Sequence, residues 1–123
     1  MRGDGLVGDV ATLNRSEWRN ALDRLTADQE GQQVTIELFD PSVGYQREAE
    51  RLPFGYINFD PKDDVIVVAV GGKSRRYPVV LRHMVWHPSE VDLAVEGLPE
   101  PAVRIVEPDG TTTLVTFFDQ PER

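Results

Sequence analysis

The only basic cluster of this acidic chain falls in its middle, between residues 73 and 83. Its members are Lys73, Arg75, Arg76, Arg82 and His83. Cationic side chains at this density can receive the anionic group of a small molecule or an acidic patch of a partner protein. A solvated loop that balances a negative surface explains the same residues more simply. We treat these five residues as the candidate ligand-binding site and assign no catalytic residue.

The run Gly71-Gly72-Lys73-Ser74 resembles the end of a phosphate-binding loop and follows a predicted strand, as such a loop should. The first glycine of that motif would fall at Val67. The continuation Arg75-Arg76-Tyr77-Pro78 does not open a helix. The motif therefore fails in two places, and no nucleotide-binding loop is predicted.

His83 and His87, the two histidines of the chain, lie four residues apart. On a helix that spacing would place both imidazoles on one face as metal ligands. Pro88 follows His87 directly and disfavours helical backbone, and the neighbouring valines favour an extended chain. In a strand the two rings would lie about 13 Å apart, too far to share one ion. No metal site and no cofactor are predicted.

The turn that contains Asp60, Asp63 and Asp64 concentrates carboxylates, which suggests a calcium loop. Calcium loops alternate their ligands and bend at a glycine, whereas Pro61-Lys62 interrupts this segment with a positive charge. Turn formation explains the residues better, because Pro61 presets φ and Asp60 can accept hydrogen bonds from the backbone ahead. No serine or threonine lies in a nucleophile elbow, so no nucleophilic catalysis is predicted. Two carboxylates from different strands could still meet in the fold, so the sequence leaves the question of enzyme activity open.

Composition excludes several classes of function. The 123 residues, of which 40% are hydrophobic, suit one domain with one core. A formal charge of −8 repels phosphate backbones and anionic lipids, so neither a nucleic-acid partner nor a membrane partner is predicted. The absence of cysteine excludes disulfides and thiol chemistry. The N-terminal residues lack the apolar core of a signal peptide, so we expect a cytoplasmic protein.

The segment from Val65 to Val70 is apolar at every position. Each large aliphatic side chain in it gains about 1.5 to 3 kcal/mol from full burial, so both faces should be shielded from water. We predict an interior strand, with one face against the core and the other beneath a helix or a second subunit. Before the turn, Ile57 and Phe59 alternate with polar residues, which predicts a strand covered mainly on one side.

The residues that follow Leu13 predict an amphipathic helix of about four turns. Asn14 and Glu17 fit a capping box, and Leu13 can pack against Trp18. The glycine at position 31 is a natural terminator. Trp18 could stack on a ligand, but an anchor in the core explains a tryptophan on the apolar stripe of a helix better.

The remaining segments predict short strands joined by loops too short for helical crossovers, which favours antiparallel pairing. Besides the hairpin described above, they span 33–39, 45–52, 77–81, 91–95, 103–106 and 114–118. The charged strand 45–52 should lie at an edge of the sheet and end at Pro53, and a loop should span 71–76.

The predicted fold class is α+β. One N-terminal amphipathic helix packs on a strongly twisted, mainly antiparallel sheet of seven or eight strands, and barrel-like curling stays open. The domain boundaries follow from the same pattern: a flexible tail at 1–12, a single domain at 13–119 and a C-terminal tail at 120–123.

Five segments resemble a family of small bacterial proteins of unknown function. They are NRSEW at 14–18, VTIE at 34–37, EAERLP at 48–53, DPKDDV at 60–65 and DGT at 109–111. The combination of EAERLP with DPKDDV at this separation is the most specific part, and the likeness spans most of residues 13–118. The resemblance implies a self-standing domain and carries over no catalytic residue, cofactor or partner.

Two hypotheses for function follow from different classes. The first is a non-catalytic interaction module that associates with itself as a homo-oligomer, because an apolar strand needs cover on both faces. The alternative is a small-molecule binder or enzyme that acts on an anionic ligand near the basic loop 73–83, with Lys73, Arg75, Arg76, Arg82 and His83 in contact with the anionic group.

Overall fold

A computed structural model describes residues 13–74, 77–95 and 97–119, without the side chains of 72–80. A turn of 3-10 helix, Arg15–Glu17, leads directly into helix α1, Trp18–Asp28. Seven strands follow, in the chain order β1 Gln33–Asp40, β2 Gly44–Asp60, β3 Val65–Ser74, β4 Tyr77–Trp86, β5 Glu90–Asp92, β6 Ala102–Val106 and β7 Thr112–Phe118. In these ranges no helix is both long and apolar enough to cross a membrane.

The strands form one sheet with the order β4-β3-β2-β1-β7-β6-β5. Every pairing in it is antiparallel. The α+β class and the strand number are therefore confirmed. The sheet is open: β4 and β5 lie at its two ends, and barrel-like closure is not confirmed.

Strand β2 belongs to two ladders, and it bends between them. Its first half pairs with β1 as far as Pro53, and its second half pairs with β3 from Phe54 onward. The prediction that Pro53 ends a strand is wrong. The N–H of Phe54 bonds to the carbonyl of Gln32 (2.9 Å) next to the Gln33–Pro53 pair, so Pro53 occupies a position that donates nothing to β1.

Two local features make this bend possible. Gly55 lies at an irregularity of the β2–β3 ladder, and a Cβ atom there would come within 2.8 Å of the carbonyl oxygen of Ala69. Arg51 adopts left-handed backbone (φ 53°) where the β1–β2 register shifts, and its N–H bonds to the hydroxyl of Thr35 (3.2 Å). Bulges of this kind increase local twist and bend a strand.

The bend turns the two parts of the sheet toward each other around one core. Phe54 on β2 contacts Phe117 on β7 edge to face, with ring centroids 5.0 Å apart. The buried residues of both parts form a single cluster that includes Val34, Ile36, Ile57, Ile66, Val68, Val85, Val103, Ile105 and Val115.

Helix α1 lies on the inner side of this sheet. Trp18 is 2% exposed and packs against Phe59 with ring centroids 5.1 Å apart, so its predicted role as a core anchor is confirmed. The capping box is not formed: Asn14 makes no side-chain cap hydrogen bond, and the chain enters α1 through a 3-10 turn instead. The indole N–H of Trp18 donates to the carbonyl of Leu13 (3.3 Å), which fixes the entry to that turn.

Strand β3 is interior, as predicted, and every residue of its apolar segment is buried except Val67, which is half-buried on the outer face. Ile66, Val68 and Val70 face the core and are 0% exposed. On the opposite, outer face, Val65 is 3% and Ala69 is 0% exposed. The prediction that a helix or a second subunit must cover this face is wrong for these two residues, because they are buried within the single chain.

Side chains of the neighbouring strands supply the cover. Ala69 lies between its cross-strand partners Tyr56 and Arg82, and Arg82 Nε donates to the hydroxyl of Tyr56 (3.2 Å). Long side chains at facing positions of adjacent strands can meet over a small residue between them. The side chains of Tyr56 and Arg82 therefore shield Ala69 from water without a helix or a second subunit on this face.

The ends of three strands differ from the prediction. A register shift beside Gly71, at φ 82°, lets β3 continue to Ser74 where a loop was expected. Strand β4 continues to Trp86 because its whole length pairs with β3. Strand β5 is confined to Glu90–Asp92, where it pairs with β6.

Beyond Pro53, strand β2 no longer pairs with β1, and Thr26 of α1 forms hydrogen bonds with the backbone of β2 there. Its hydroxyl donates to the carbonyl of Ile57 (2.8 Å) and accepts from the N–H of the same residue (3.0 Å). One side chain thus replaces the pair of backbone bonds that a neighbouring strand would make. Helix α1 is thereby held both by its apolar side and by this polar contact.

Replacing Trp18 with alanine should lower the free energy of unfolding by about 3 to 5 kcal/mol, because a fully buried aromatic side chain leaves a cavity. Urea unfolding followed by circular dichroism measures this. The exposed neighbour Arg19 provides the control, since Arg19→Ala should change stability by no more than about 0.5 kcal/mol. An unchanged midpoint for Trp18→Ala would contradict its place in the core.

Replacing Thr26 with valine should cost about 1 to 3 kcal/mol, because the shape is kept while the N–H and C=O of Ile57 lose their partner. Thr26→Ser keeps the hydroxyl and removes one methyl group, so it should cost less than about 1 kcal/mol. Equal losses for the two variants in urea unfolding would show that the hydroxyl does not close this edge.

Candidate functional site

The structure describes the side chains of two of the five predicted ligand-binding residues, Arg82 and His83. Arg75 and Arg76 lie outside the described residues, and Lys73 is described only in its backbone, near the end of β3. Arg82 and His83 are consecutive residues of β4, so their side chains project to opposite faces of the sheet. These two side chains therefore do not converge on one anionic group.

His83 points inward and joins the two parts of the sheet. Its Nε2 atom lies 3.2 Å from the hydroxyl of Thr113, a residue of β7 that is 0% exposed. Burial lowers the pKa of His83 below its ordinary value, and the nearby carboxylate of Glu48 opposes that shift. His83 thus acts as a neutral packing and hydrogen-bonding residue in this position.

Arg82, Met84 and Trp86 form a row on the outer face of β4, which we call the outer row. Met84 is 40% and Trp86 is 49% exposed, although both lie on a strand whose opposite face fills the core. Arg82 is exposed as well, and its hydrogen bond to Tyr56 fixes it over Ala69. The row therefore combines a positioned guanidinium with two large apolar side chains.

The backbone of the outer row points toward the free edge of the sheet. The N–H of His87 bonds to the carbonyl of Asp64 (2.8 Å), which brackets the Val65–Trp86 pair. In an antiparallel ladder this places the N–H and C=O of Trp86 on the side away from β3. Because this direction alternates along a strand, the N–H and C=O groups of Met84 and Arg82 also point away from β3. Since β4 ends the strand order, these groups meet no further strand among the residues that the structure describes.

A charged cluster formed by Arg15, Asp64 and His87 lies at the same end of β4. Arg15 pairs with one carboxylate oxygen of Asp64, and Nδ1 of His87 donates to the other (3.0 Å). Arg15 also donates to the carbonyl of Pro88 (3.2 Å), and its guanidinium carbon lies 4.8 Å from the ring centroid of Trp18. The cluster connects the start of the helical segment to one end of the β3–β4 pair, where β3 begins and β4 ends.

Backbone geometry and charge both identify this cluster as a structural joint. Asp64 and His87 adopt left-handed backbone, with φ of 55° and 54°, where the chain leaves regular pairing. The hydrogen bond from His87 and, to a smaller extent, Arg15 hold the pKa of Asp64 below its ordinary value of 3.8. The imidazole is 72% exposed, and its hydrogen bond to Asp64 joins the end of β4 to the start of β3.

A further polar feature, on β5 and β6, was not expected from the sequence. Asp92 on β5 is 2% exposed and pairs with Arg104 on β6, which joins the last two strands of the sheet. Among the described residues, no three histidine, cysteine or acidic side chains come together as a possible metal site.

The exposed apolar residues of the β1–β2 hairpin form a second surface. Phe39 and Tyr45 stack at a tilt with ring centroids 5.3 Å apart, and Val43 between them in sequence is 67% exposed. Unlike the outer row, this surface lies at the tip of a hairpin. A substitution at Val43 therefore removes an exposed apolar side chain without changing the outer row of β4.

Sequence reasoning did not identify the outer row or the Arg15 cluster as candidate sites. The exposure of Met84 and Trp86 depends on β4 ending the sheet, which no local pattern reveals. The sequence indicated only that Asp64 could adopt left-handed backbone at the end of a proline turn, because aspartate tolerates that conformation. Nothing in the sequence connects Arg15 with a carboxylate at position 64, because only the tertiary fold brings them together.

Asp64→Asn should destabilise the protein at neutral pH, because it removes a carboxylate that His87 and Arg15 stabilise in the folded state. A folded-state pKa below 3.8 means that this contribution is complete above that pH and is lost as the pH falls through the folded value. The difference in urea midpoint between wild type and variant should therefore shrink below pH 3.8.

Asp63→Asn, at an exposed neighbouring position, serves as the control and should leave the midpoint nearly unchanged at every pH. A difference between wild type and Asp64→Asn that stays constant from neutral to acid pH would show that the charge of Asp64 does not stabilise the fold.

Comparison with known proteins identifies the family. An "Uncharacterized protein" of Aquifex aeolicus (strain VF5) is 26% identical over 99 residues, which cover 80% of this chain and 83% of that protein. No solved structure matches the chain. The family model of DUF5335, described as a family of unknown function, matches residues 10–123. The chain belongs to the DUF5335 family, and its predicted resemblance to a family of unknown function with bacterial members is confirmed.

Proposed function

We propose that the protein is a non-catalytic interaction module that associates with itself through strand β4. The observation that carries this proposal is the exposure of Met84 (40%) and Trp86 (49%) on a strand that ends the sheet. Tryptophan, methionine and arginine are the residue types most enriched in protein interfaces, and the outer row contains one of each.

The strand edge supports the same surface. An end strand presents unpaired N–H and C=O groups that can pair with another chain, and proteins commonly blunt such edges with charges or bulges. Of the three residues of the outer row only Arg82 is charged, and its guanidinium donates a hydrogen bond to Tyr56 of the same chain. The side chains beside this edge therefore do little to discourage pairing.

The net charge of the chain predicts how association depends on salt. Two copies at −8 each repel one another at long range, whereas contacts within the outer row are mostly apolar. Raising the ionic strength to about 0.15 M shortens the screening length to roughly 8 Å. Association should therefore strengthen as salt is added from low concentration.

The alternative is binding of an anionic ligand near the basic loop 73–83. Arg82 favours it, because the hydrogen bond to Tyr56 holds an exposed guanidinium in one place. Inorganic phosphate and sulfate test it: a ligand at about a hundred times its dissociation constant adds roughly 2.7 kcal/mol to stability. Stabilisation by these anions that Arg82→Gln abolishes, in a protein that stays monomeric, would favour the alternative.

Trp86→Ser should shift the protein from dimer toward monomer, because it removes the largest exposed apolar side chain of the outer row. Sedimentation equilibrium over a range of protein concentrations measures the change. An interface anchor of this kind contributes about 2 kcal/mol or more, so the dissociation constant should rise by at least about thirtyfold.

Val43→Ser is the matched control, since it removes an exposed apolar side chain from the β1–β2 hairpin and should leave the dissociation constant unchanged. Thermal unfolding of both variants shows whether the fold is intact. A wild-type protein that stays monomeric at high concentration and moderate salt would refute self-association.

A further inference from the structure

We infer that the second copy adds its β4 antiparallel to the first, with Met84 facing Met84 across a twofold axis. This inference rests on the proposed self-association and specifies its geometry. The two sheets would join edge to edge, and the outer rows of both copies would lie on one continuous face.

The direction of the backbone limits the possible registers. The N–H and C=O groups of Arg82, Met84 and Trp86 point toward the free edge, so these residues must face one another to form hydrogen-bonded pairs. A slip of one residue would place outer side chains opposite inner ones. Only registers that pair outer row with outer row satisfy both the backbone and the side chains.

Charge selects among those registers. With Met84 on the axis, Arg82 of each copy faces Trp86 of the other, and a guanidinium next to an indole is a favourable cation–aromatic pair. With Arg82 on the axis, two guanidinium groups would face each other, which is unfavourable. The chosen register thus gives every member of the outer row a suitable partner.

The geometry of the chain disfavours the other neighbouring registers. Placing Trp86 or Val85 on the axis would put a member of the outer row, Met84 or Arg82 respectively, opposite Pro88, which has no N–H and follows the left-handed backbone of His87 (φ 54°). Placing His83 on the axis would pair Arg82 with Met84 and leave Trp86 without a cationic partner. The Met84-centred register keeps every facing pair of the outer row inside β4, which ends at Trp86.

Single-cysteine variants test the register, because the natural chain contains no cysteine. Facing residues of a hydrogen-bonded antiparallel pair have Cα atoms about 5.5 Å apart, a distance that a disulfide spans. Under mild oxidation of dilute protein, Met84→Cys should become mostly covalent dimer on a non-reducing gel. Val43→Cys, at the exposed hairpin tip, should remain monomeric on that gel.

Mixtures distinguish the Met84-centred register from its neighbours. Arg82→Cys alone and Trp86→Cys alone should not cross-link, because each lies about 13 Å from its own equivalent, whereas a mixture of the two should form the heterodimer. This mixture also tests the register if Met84→Cys itself weakens association. Cross-linking of Arg82→Cys alone, or of a mixture of Arg82→Cys with Met84→Cys in preference to the predicted pair, would overturn the register.

The outcomes separate this inference from the proposed function. A wild-type dimer in which neither Met84→Cys alone nor the mixture of Arg82→Cys and Trp86→Cys cross-links would overturn the register and leave self-association standing. A wild-type monomer at all concentrations would overturn both. Covalent dimer from Met84→Cys, together with heterodimer from the mixture, supports the inference.

Discussion

The bend in strand β2 is the constraint on which the rest of the structure depends. A strand that pairs with β1 before Pro53 and with β3 after it must change direction between two ladders. Gly55 permits the close approach of β3 at this point, because a side chain there would collide with the carbonyl of Ala69. The bend brings Phe54 onto Phe117 and so converts a linear order of seven strands into two facing layers with one core.

Polar side chains occupy the places where this arrangement interrupts regular pairing. Thr26 bonds to both backbone groups of Ile57 where β1 departs, and the Arg15–Asp64–His87 cluster joins the start of the helical segment to the β3–β4 pair. Each of these groups replaces interactions that a continuous ladder would supply. The Asp64–His87 hydrogen bond joins the start of β3 to the end of β4.

Local patterns predicted the elements, and tertiary pairing decided their extent. The apolar run from Val65 to Val70 predicted an interior strand because burial energy acts on each residue, and Trp18 predicted a core anchor for the same reason. The continuation of β2 through Pro53 was missed, because a proline ends a strand only where its N–H is needed, and that depends on the neighbouring strand. The separation of Arg82 from His83 follows from strand alternation once β4 is known to include both.

The outer row of β4 exposes large apolar side chains that the fold of the single chain does not bury. The core covers the inner face of this strand, whereas Met84 and Trp86 on its outer face stay exposed beside an edge that no described strand pairs with. Amide hydrogen exchange measured over a range of protein concentrations tests self-association at this edge most directly. The amides of Arg82, Met84 and Trp86 should become protected as the concentration rises, while the amide of Val85, which faces β3, stays protected throughout. Rapid exchange of the three edge amides at every concentration would contradict association through β4.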